Sequence, residues 1–332
     1  MPSSQATRNR FPTTTSSVRA GVGTPEARPP PGGPASEPGR AASAAADDRG
    51  TGLAGRMATL FSRDVQVAVL ASGSSGNCTY IGDGHAGVLV DCGISAKQVL
   101  ARLDRLGLGD APIDAVLVTH EHGDHVGGAR VLCDRLHKRL GRWVPFLMTR
   151  GTRDALRDRT TPAAVELVSA GGVVELKHLR LDPFSVPHDV ADPVAWRVQL
   201  GGHQVGVITD LGRPTTLVQD KLRSLSIAVL EFNHDFELLM GGAYPWHLKQ
   251  RIRSSHGHLS NDQAGELLER GLGESLRHLV LAHLSDENNQ PARALAAATG
   301  ALRRAGASDR VQVQVAEQRT PLAPIRLPAV DW

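Results

Sequence analysis

The sequence predicts an α/β protein built as a sandwich of two β-sheets with helices on the outside. Three observations predict it. Val-, Ile- and Leu-rich runs of strand length recur along residues 65–316. Segments with apolar residues at helical spacing alternate with them and supply outer layers. Several of the apolar runs end on a His or an Asp, the arrangement by which distant side chains gather on one rim of a sandwich.

In chain order, strands are expected at 65–71, 77–82, 87–91 and 113–119. A helix follows Ser95, with Val99, Leu100, Leu103 and Leu106 on one face, and a second covers 125–140. Later strands fall at 173–187, 194–200, 203–209, 226–231, 276–282 and 310–316. Helices near 214–222, 245–254, 260–272 and 291–305 cover them. Ser260 and Gln263 form a capping box, and Pro291 suits a first helical turn. No internal repeat at solenoid spacing is present.

The chain has 332 residues, but its first 56 are not domain-like. They are dominated by Ala, Gly, Pro, Ser, Thr and Arg, with Phe11 their only aromatic residue. Such a segment cannot bury enough apolar surface to offset its ordering entropy, so 1–56 is expected to be disordered. Met57 opens the first plausible ordered stretch, which makes 1–56 a candidate overextended gene start. A transit peptide is the rival reading, because residues 1–25 carry Arg and no acid; the Gly and Pro content and lack of amphipathic period weigh against it. No signal-peptide core and no membrane-spanning apolar run is present.

Residues 57–332 are long enough for one large core and are expected to form a single domain. The whole-chain charge is +3, yet 57–332 balances at 30 basic and 30 acidic residues. An acidic partner would therefore have to meet local basic patches. The candidates are Arg135-Leu136-His137-Lys138-Arg139 with Arg142, and Lys249, Arg251 and Arg253. Three cysteines without C-x-x-C spacing, Cys78, Cys92 and Cys133, exclude a disulfide scaffold and read as reduced, buried thiols of a cytoplasmic protein.

The most informative stretch is Thr119-His120-Glu121-His122-Gly123-Asp124-His125. Three imidazoles and two carboxylates fall within seven residues, directly after the apolar run 113–118. A lone His beside an acid is usually structural. A tight loop bearing H-x-H-x-D-H instead points several zinc- or manganese-type ligands at one place.

This signature resembles the metallo-β-lactamase superfamily, whose fold is an αββα four-layer sandwich with a dinuclear metal centre at one edge. The resemblance continues along the chain. Asp91 after Val88-Leu89-Val90, His188 in Val186-Pro187-His188-Asp189, Asp210 after 205–209 and His283 after 278–282 match its remaining motifs. By resemblance, His120, His122 and His188 hold one divalent ion, Zn2+ or Mn2+. Asp124, His125 and His283 hold the other, Asp210 lies between them, and Asp91 braces the loop by hydrogen bonding from behind the ligands.

Other motifs narrow the resemblance. Ala71-Ser72-Gly73-Ser74-Ser75-Gly76-Asn77-Cys78, Glu231-Phe232-Asn233-His234-Asp235, Tyr244-Pro245-Trp246, Gly257-His258-Leu259-Ser260-Asn261 and 283–289 together resemble the YycJ/WalJ-type branch. That branch implies a 5′-to-3′ DNA exonuclease associated with DNA repair. Phe232 departs from the small polar residue expected after the glutamate. The Gly-Ser run lets backbone N–H groups approach a phosphate closely, which makes Ser74, Ser75 and Asn77 substrate-binding candidates; an ordinary hairpin turn is the alternative. Resemblance to ribonuclease Z-like phosphodiesterases implies that His258 assists the leaving oxygen, oriented by Glu231. His234 and Lys249 are further candidates for substrate contact.

The implied chemistry is phosphodiester hydrolysis, with Asp124, His258 and Glu231 as the catalytic set. Two cations lower the pKa of a bridging water and polarise the phosphate oxygens, while His258 protonates the departing 3′ oxygen. The alternatives are a thioester or lactone hydrolase of the same fold, a ribonuclease, and a non-catalytic metal-stabilised regulator. Asp210, rather than Cys, argues against a β-lactamase. The residues leave zinc against manganese, strand preference and oligomeric state open.

Overall fold

The computed structural model describes residues 64–330. The expectations for 1–56 and for a start at Met57 lie outside the described residues. Two seven-stranded sheets pack face to face. The first contains β1 (Val65–Ala71), β2 (Cys78–Gly82), β3 (Gly87–Val90), β4 (Ala115–Leu117), β5 (Phe146–Thr149), β6 (Val165–Val168) and β14 (Ile325–Leu327). Its order is β14-β1-β2-β3-β4-β5-β6. The second contains β7 (Val174–Leu176), β8 (Leu179–Ser185), β9 (Val194–Leu200), β10 (His203–Ile208), β11 (Ile227–Glu231), β12 (His278–Ala282) and β13 (Gln312–Val315). It runs β13-β12-β11-β10-β9-β8-β7.

Strand alternation builds three apolar layers. On β1, Val65, Val67 and Val69 face the other sheet, whereas Ala68 and Leu70 face helices. On β12, Val280 and Ala282 face between the sheets while Leu279 and Leu281 face outward. Both faces of these strands are buried, so they read as continuous apolar runs. Helices α1 (Ala96–Arg105), α2 (Gly123–Val126), α3 (Ala129–Leu140) and α4 (Arg150–Ala155) follow strands of the first sheet. Helices α5 (Thr216–Arg223), α6 (Phe236–Gly241), α7 (Trp246–Ile252), α8 (Asn261–Gly271) and α9 (Pro291–Arg304) accompany the second. The result is the expected four-layer αββα sandwich.

Parallel pairing sets the functional rim. Strands β3 to β6 are mutually parallel, and so are β10 to β13. Their C-terminal ends therefore open on common edges of the two sheets. Trp196 on β9, fully buried between the sheets, donates its Nε1–H to the Val118 carbonyl at 3.1 Å. That bond ties the second sheet to the root of the His-rich loop.

The structure departs from expectation in several places. The strand expected over 173–187 is a hairpin, β7 and β8, turned at Lys177 with φ 56°. The helix expected over 125–140 is split into α2 and α3 at Gly127-Gly128. A Cβ on Gly128 would stand 2.2 Å from the Ile94 carbonyl, so the chain crosses there at van der Waals limits that only Gly meets. Elements β5, α4, β6, α6 and β14 were not expected. No helix of the described residues is long and apolar enough to cross a membrane.

Candidate metal centre

Four non-glycine residues among those described have left-handed φ, and three of them are candidate site residues. Asp91 (φ 60°), Asp210 (φ 59°) and His283 (φ 56°) each follow a rim-directed strand, β3, β10 and β12. This conformation costs a non-glycine residue about 1–2 kcal/mol. It turns each side chain back over the strand end, toward the others. Strain of this kind, repeated at three converging strands, marks a site.

The loop after β4 supplies His120, His122, Asp124 and His125. Thr119 donates its N–H to Asp91 Oδ1 at 2.9 Å, and its hydroxyl lies 2.9 Å from Asp91 Oδ2. Asp91 Oδ2 also accepts from His125 Nδ1 at 2.7 Å. One buried carboxylate thus holds both ends of the loop. Gly93 permits the return crossing: a Cβ there would overlap the Asp124 carbonyl at 1.6 Å. Replacing Asp91 by Asn removes the acceptor that fixes the His125 ring, and metal affinity is expected to fall about 10- to 100-fold. Competition with a chromophoric chelator measures this.

Candidate donor atoms converge in two groups. His120 Nε2 lies 3.0 Å from His122 Nδ1, which in turn lies 3.4 Å from His188 Nε2. His125 Nε2 and His283 Nε2 each stand 3.4 Å from Asp124 Oδ2. Asp210 spans the groups: Oδ2 is 3.0 Å from His125 Nε2, and Oδ1 is 3.6 Å from His283 Nε2 and 3.8 Å from His188 Nε2.

The outer hydrogen bonds fix which nitrogens face inward. His188 Nδ1 donates to the Gly257 carbonyl at 3.1 Å, and His283 Nδ1 lies 3.3 Å from Glu231 Oε1. With Nδ1 protonated on these rings and on His125, each Nε2 presents a lone pair. Asp210 Oδ2, fully buried, makes no hydrogen bond and faces the His125 lone pair. Acceptor set against acceptor at 3.0 Å fits a divalent cation.

Burial alone would pull His125 and His283 down, yet Asp210 with its neighbouring carboxylates overcomes it and raises both, His283 to about 10, so without a cation these rings hold the protons that metal binding would displace. His120 goes the other way, held well below the ordinary range by burial and by His125. Burial opposes ionisation of Asp210, but His283 and His125 keep its carboxyl well below the usual range. The pocket holds its carboxylates ionised and attracts positive charge.

Behind the rim, Glu231 is fully buried at the end of β11. Its Oε1 accepts from His258 Nδ1 at 2.7 Å, and its Oε2 accepts the Leu211 N–H at 2.8 Å and the Leu259 N–H at 3.3 Å. Burial raises its pKa, but His258 outweighs this and lowers it to about 2. His258 therefore sits with one nitrogen fixed and its ring, 21% exposed, at the cavity wall. The cavity holds about 360 Å³ and is lined by His122, Asp124, Asp210, His258 and His283. A larger cavity of about 670 Å³, beside Asp83, His178 and Val330, opens at the opposite end of the strands and contains none of these groups.

Other expected contacts fare differently. Ser74 lines the cavity mouth. Ser75 is exposed and directs its N–H to Gln318 Oε1 at 2.9 Å. Asn77 is buried; its side chain accepts the Gly73 N–H at 3.0 Å and approaches His125 Nε2 at 3.1 Å, so it braces the loop instead of facing substrate. Lys249 is turned inward, where its ammonium donates to the Met240 and Gly242 carbonyls at 2.7 Å each. The basic stretch 135–142 lies at the far end of α3, away from the rim.

His234 is sealed at 1% exposure, with Nδ1 lacking a partner, so substrate contact is closed to it. Burial lowers its pKa from 6.5 to about 4. Below pH 6.5 the unfolded chain takes up a proton that the folded chain refuses until about pH 4. Stability is thus lost as pH falls across that window, by roughly 3 kcal/mol. Urea titrations of wild type and His234→Asn at pH 7.5 and about 4.5 are expected to show a smaller loss in the variant.

Thr119, Ser72 and Asn233 were not singled out from the sequence as site residues, whereas Arg251 was expected only as part of a basic patch with Lys249 and Arg253. Ser72 Oγ accepts the His283 N–H at 2.7 Å, and Asn233 Nδ2 donates to the His283 carbonyl at 2.9 Å. Both hold His283 in its strained conformation. Arg251 lines the cavity and pairs with Asp189.

Two stacked sheets with a His/Asp rim at their C-terminal ends define a metal-dependent hydrolase. The family described as "Beta-lactamase superfamily domain" matches residues 87–283. The chain is 32% identical over 225 residues to "Exodeoxyribonuclease YycJ" of Bacillus anthracis, covering 67% of this chain and 83% of that protein. It is 32% identical over 227 residues to "Exodeoxyribonuclease WalJ" of Streptococcus pneumoniae, covering 67% and 82%. Among solved structures, the metallo-beta-lactamase fold protein YhfI from Bacillus subtilis superposes with TM-score 0.57 at 17% identity, covering 78% of this chain and 99% of that one. The chain belongs to the metallo-β-lactamase superfamily and, within it, to the YycJ/WalJ family.

Proposed function

We propose that this protein is a dinuclear-metal phosphodiesterase acting on DNA as a 5′-to-3′ exonuclease, with DNA repair as its setting. The observation that carries the reading is the His258–Glu231 pair at 2.7 Å, set in the wall of the cavity that the candidate ligands line. A thioester hydrolase expels a thiolate, which needs no such fixed acid. The names of the YycJ and WalJ relatives support the same substrate.

In this reading His120, His122 and His188 hold one divalent cation, and Asp124, His125 and His283 hold the second. Asp210 contributes one oxygen toward each group. Bound there, zinc or manganese supplies a deprotonated water at neutral pH and offsets charge developing on the phosphate. Asp91 and Glu231 keep the His125 and His283 rings oriented. His258 keeps Nδ1 on Glu231 and turns its other nitrogen to the departing 3′ oxygen, to which it delivers a proton. The product retains a 5′-phosphate. Ser74 and Arg251, at the mouth, contact the neighbouring phosphates.

The test supplies metal-stripped full-length protein with zinc or manganese and offers it labelled duplex DNA, single-stranded DNA, RNA, and a thioester. Stepwise loss of a 5′ label from DNA is the expected result. Turnover of the thioester with every nucleic acid intact would overturn the proposal.

A further inference from the structure

α7 lines one side of the cavity, and with the adjoining α6, which lies outside the lining, it forms a wall rich in aromatic residues. The chain holds only four Trp, two Tyr and six Phe, yet three of these twelve, Phe236, Tyr244 and Trp246, fall within 236–246. Tyr244 lines the cavity with Leu248, Arg251 and Ile252. Trp246 is 57% exposed, more than any other large apolar residue among those described, and Phe236 is 46% exposed. The Arg253 guanidinium lies over the Phe236 ring, 5.5 Å from its centroid.

This wall is firmly built. Lys249 ties α7 to the carbonyls that end α6, at 2.7 Å each. Asp235 caps α6, accepting the Leu238 N–H at 3.0 Å, and Arg293 pairs with both Asp235 and Glu237. The acids beside the rings are thus neutralised, while Arg253 and Arg251, the latter paired with Asp189, stay exposed. Around Trp246, the exposed neighbours His247, Gln250 and Arg253 are polar, so the face is not an ordinary apolar protein-docking patch. Exposed rings interleaved with arginines, continuous with a phosphodiesterase cavity, match the chemistry of unpaired bases joined by phosphates.

We propose that the α6–α7 wall is a stacking platform for the unpaired nucleotides next to the scissile bond. Phe236 and Trp246 receive base faces, and Arg251 and Arg253 receive phosphates. The proposal rests on the DNA-exonuclease reading and adds how the strand is held.

Full-length wild type, Phe236→Ala/Trp246→Ala, Trp246→Phe and Trp143→Phe are compared for binding of oligothymidylate, read by tryptophan quenching and by anisotropy of a labelled strand. Among the described residues, Trp143, just past the C-terminal end of α3, is the other exposed tryptophan and serves as the control. The double variant is expected to bind roughly tenfold or more weakly, with DNA cleavage losing KM rather than kcat. Trp246→Phe keeps a ring and is expected to bind within a few-fold of wild type, and Trp143→Phe to bind as wild type. Turnover of bis(p-nitrophenyl) phosphate, which carries no nucleobase and no neighbouring nucleotides, is expected to fall far less than DNA cleavage. Normal binding and KM in a double variant that still degrades DNA would overturn the platform and leave the nuclease reading intact; so would a self-association that the same substitutions disperse. Wild type that cleaves the small phosphodiester but no DNA would overturn both.

Discussion

Asp210→Ala is expected to lower DNA cleavage by at least on the order of 10³-fold, beyond the ~10–100-fold typical of losing an outer-shell partner. Among the described residues, Asp210 is the one carboxylate within 4 Å of His125, His188 and His283 together. Its loss separates the two donor groups. Ala also suits the left-handed backbone at φ 59° poorly, so Asp210→Asn is the companion variant, because Asn tolerates that conformation. Elemental analysis should show metal lost from both variants, with far-UV circular dichroism retained. Full activity in Asp210→Asn would contradict the assignment.

His258→Ala is expected to lower kcat on DNA by on the order of 10²–10⁴-fold while metal content stays at the wild-type level. The dissociation of the two effects matters. His258 approaches Asp210 only at 3.7 Å and donates its hydrogen bond to Glu231 at 2.7 Å, so its removal spares the ligand set. A proton donor is needed most when the leaving oxygen is poor. The loss should therefore shrink with a p-nitrophenolate leaving group. An equal loss on both substrates would assign His258 to positioning. Glu231→Gln should show a mixed defect, because Glu231 also lies 3.3 Å from His283 Nδ1.

Much of this architecture was legible because both sheets are buried on two faces. Runs such as 67–71, 227–230 and 279–282 are apolar without interruption, and site residues stand where those runs stop. The parts that were not legible have physical reasons. β6 is an edge strand with Glu166 and Leu167 exposed, so it lacks a core pattern. β14 exists only by pairing with β1, more than two hundred residues earlier in the chain. The turn at Lys177 uses a non-glycine left-handed residue and carries no Gly or Asn to announce it.

Within the site, the loop candidates stood out by their H-x-H-x-D-H spacing and His188, Asp210 and His283 by the family resemblance, whereas direction was not legible. Lys249 and Asn77 have the side chains of substrate contacts, but the first is drawn under α6 and the second under the Asp124 loop. Neither fate follows from local sequence. Ser72 and Asn233 stood in quoted motifs, yet their service to His283 depends on loops that meet only in the fold. The left-handed turns at Asp91, Asp210 and His283 were equally hidden.

The measurement that tests the central claim most directly is a metal titration of the stripped full-length protein, following release of a 5′ label from DNA. The account predicts no release without metal, and a rise that levels off at two equivalents of zinc or manganese per chain. Release by the stripped protein, or saturation with metal and no cleavage of DNA, would contradict it.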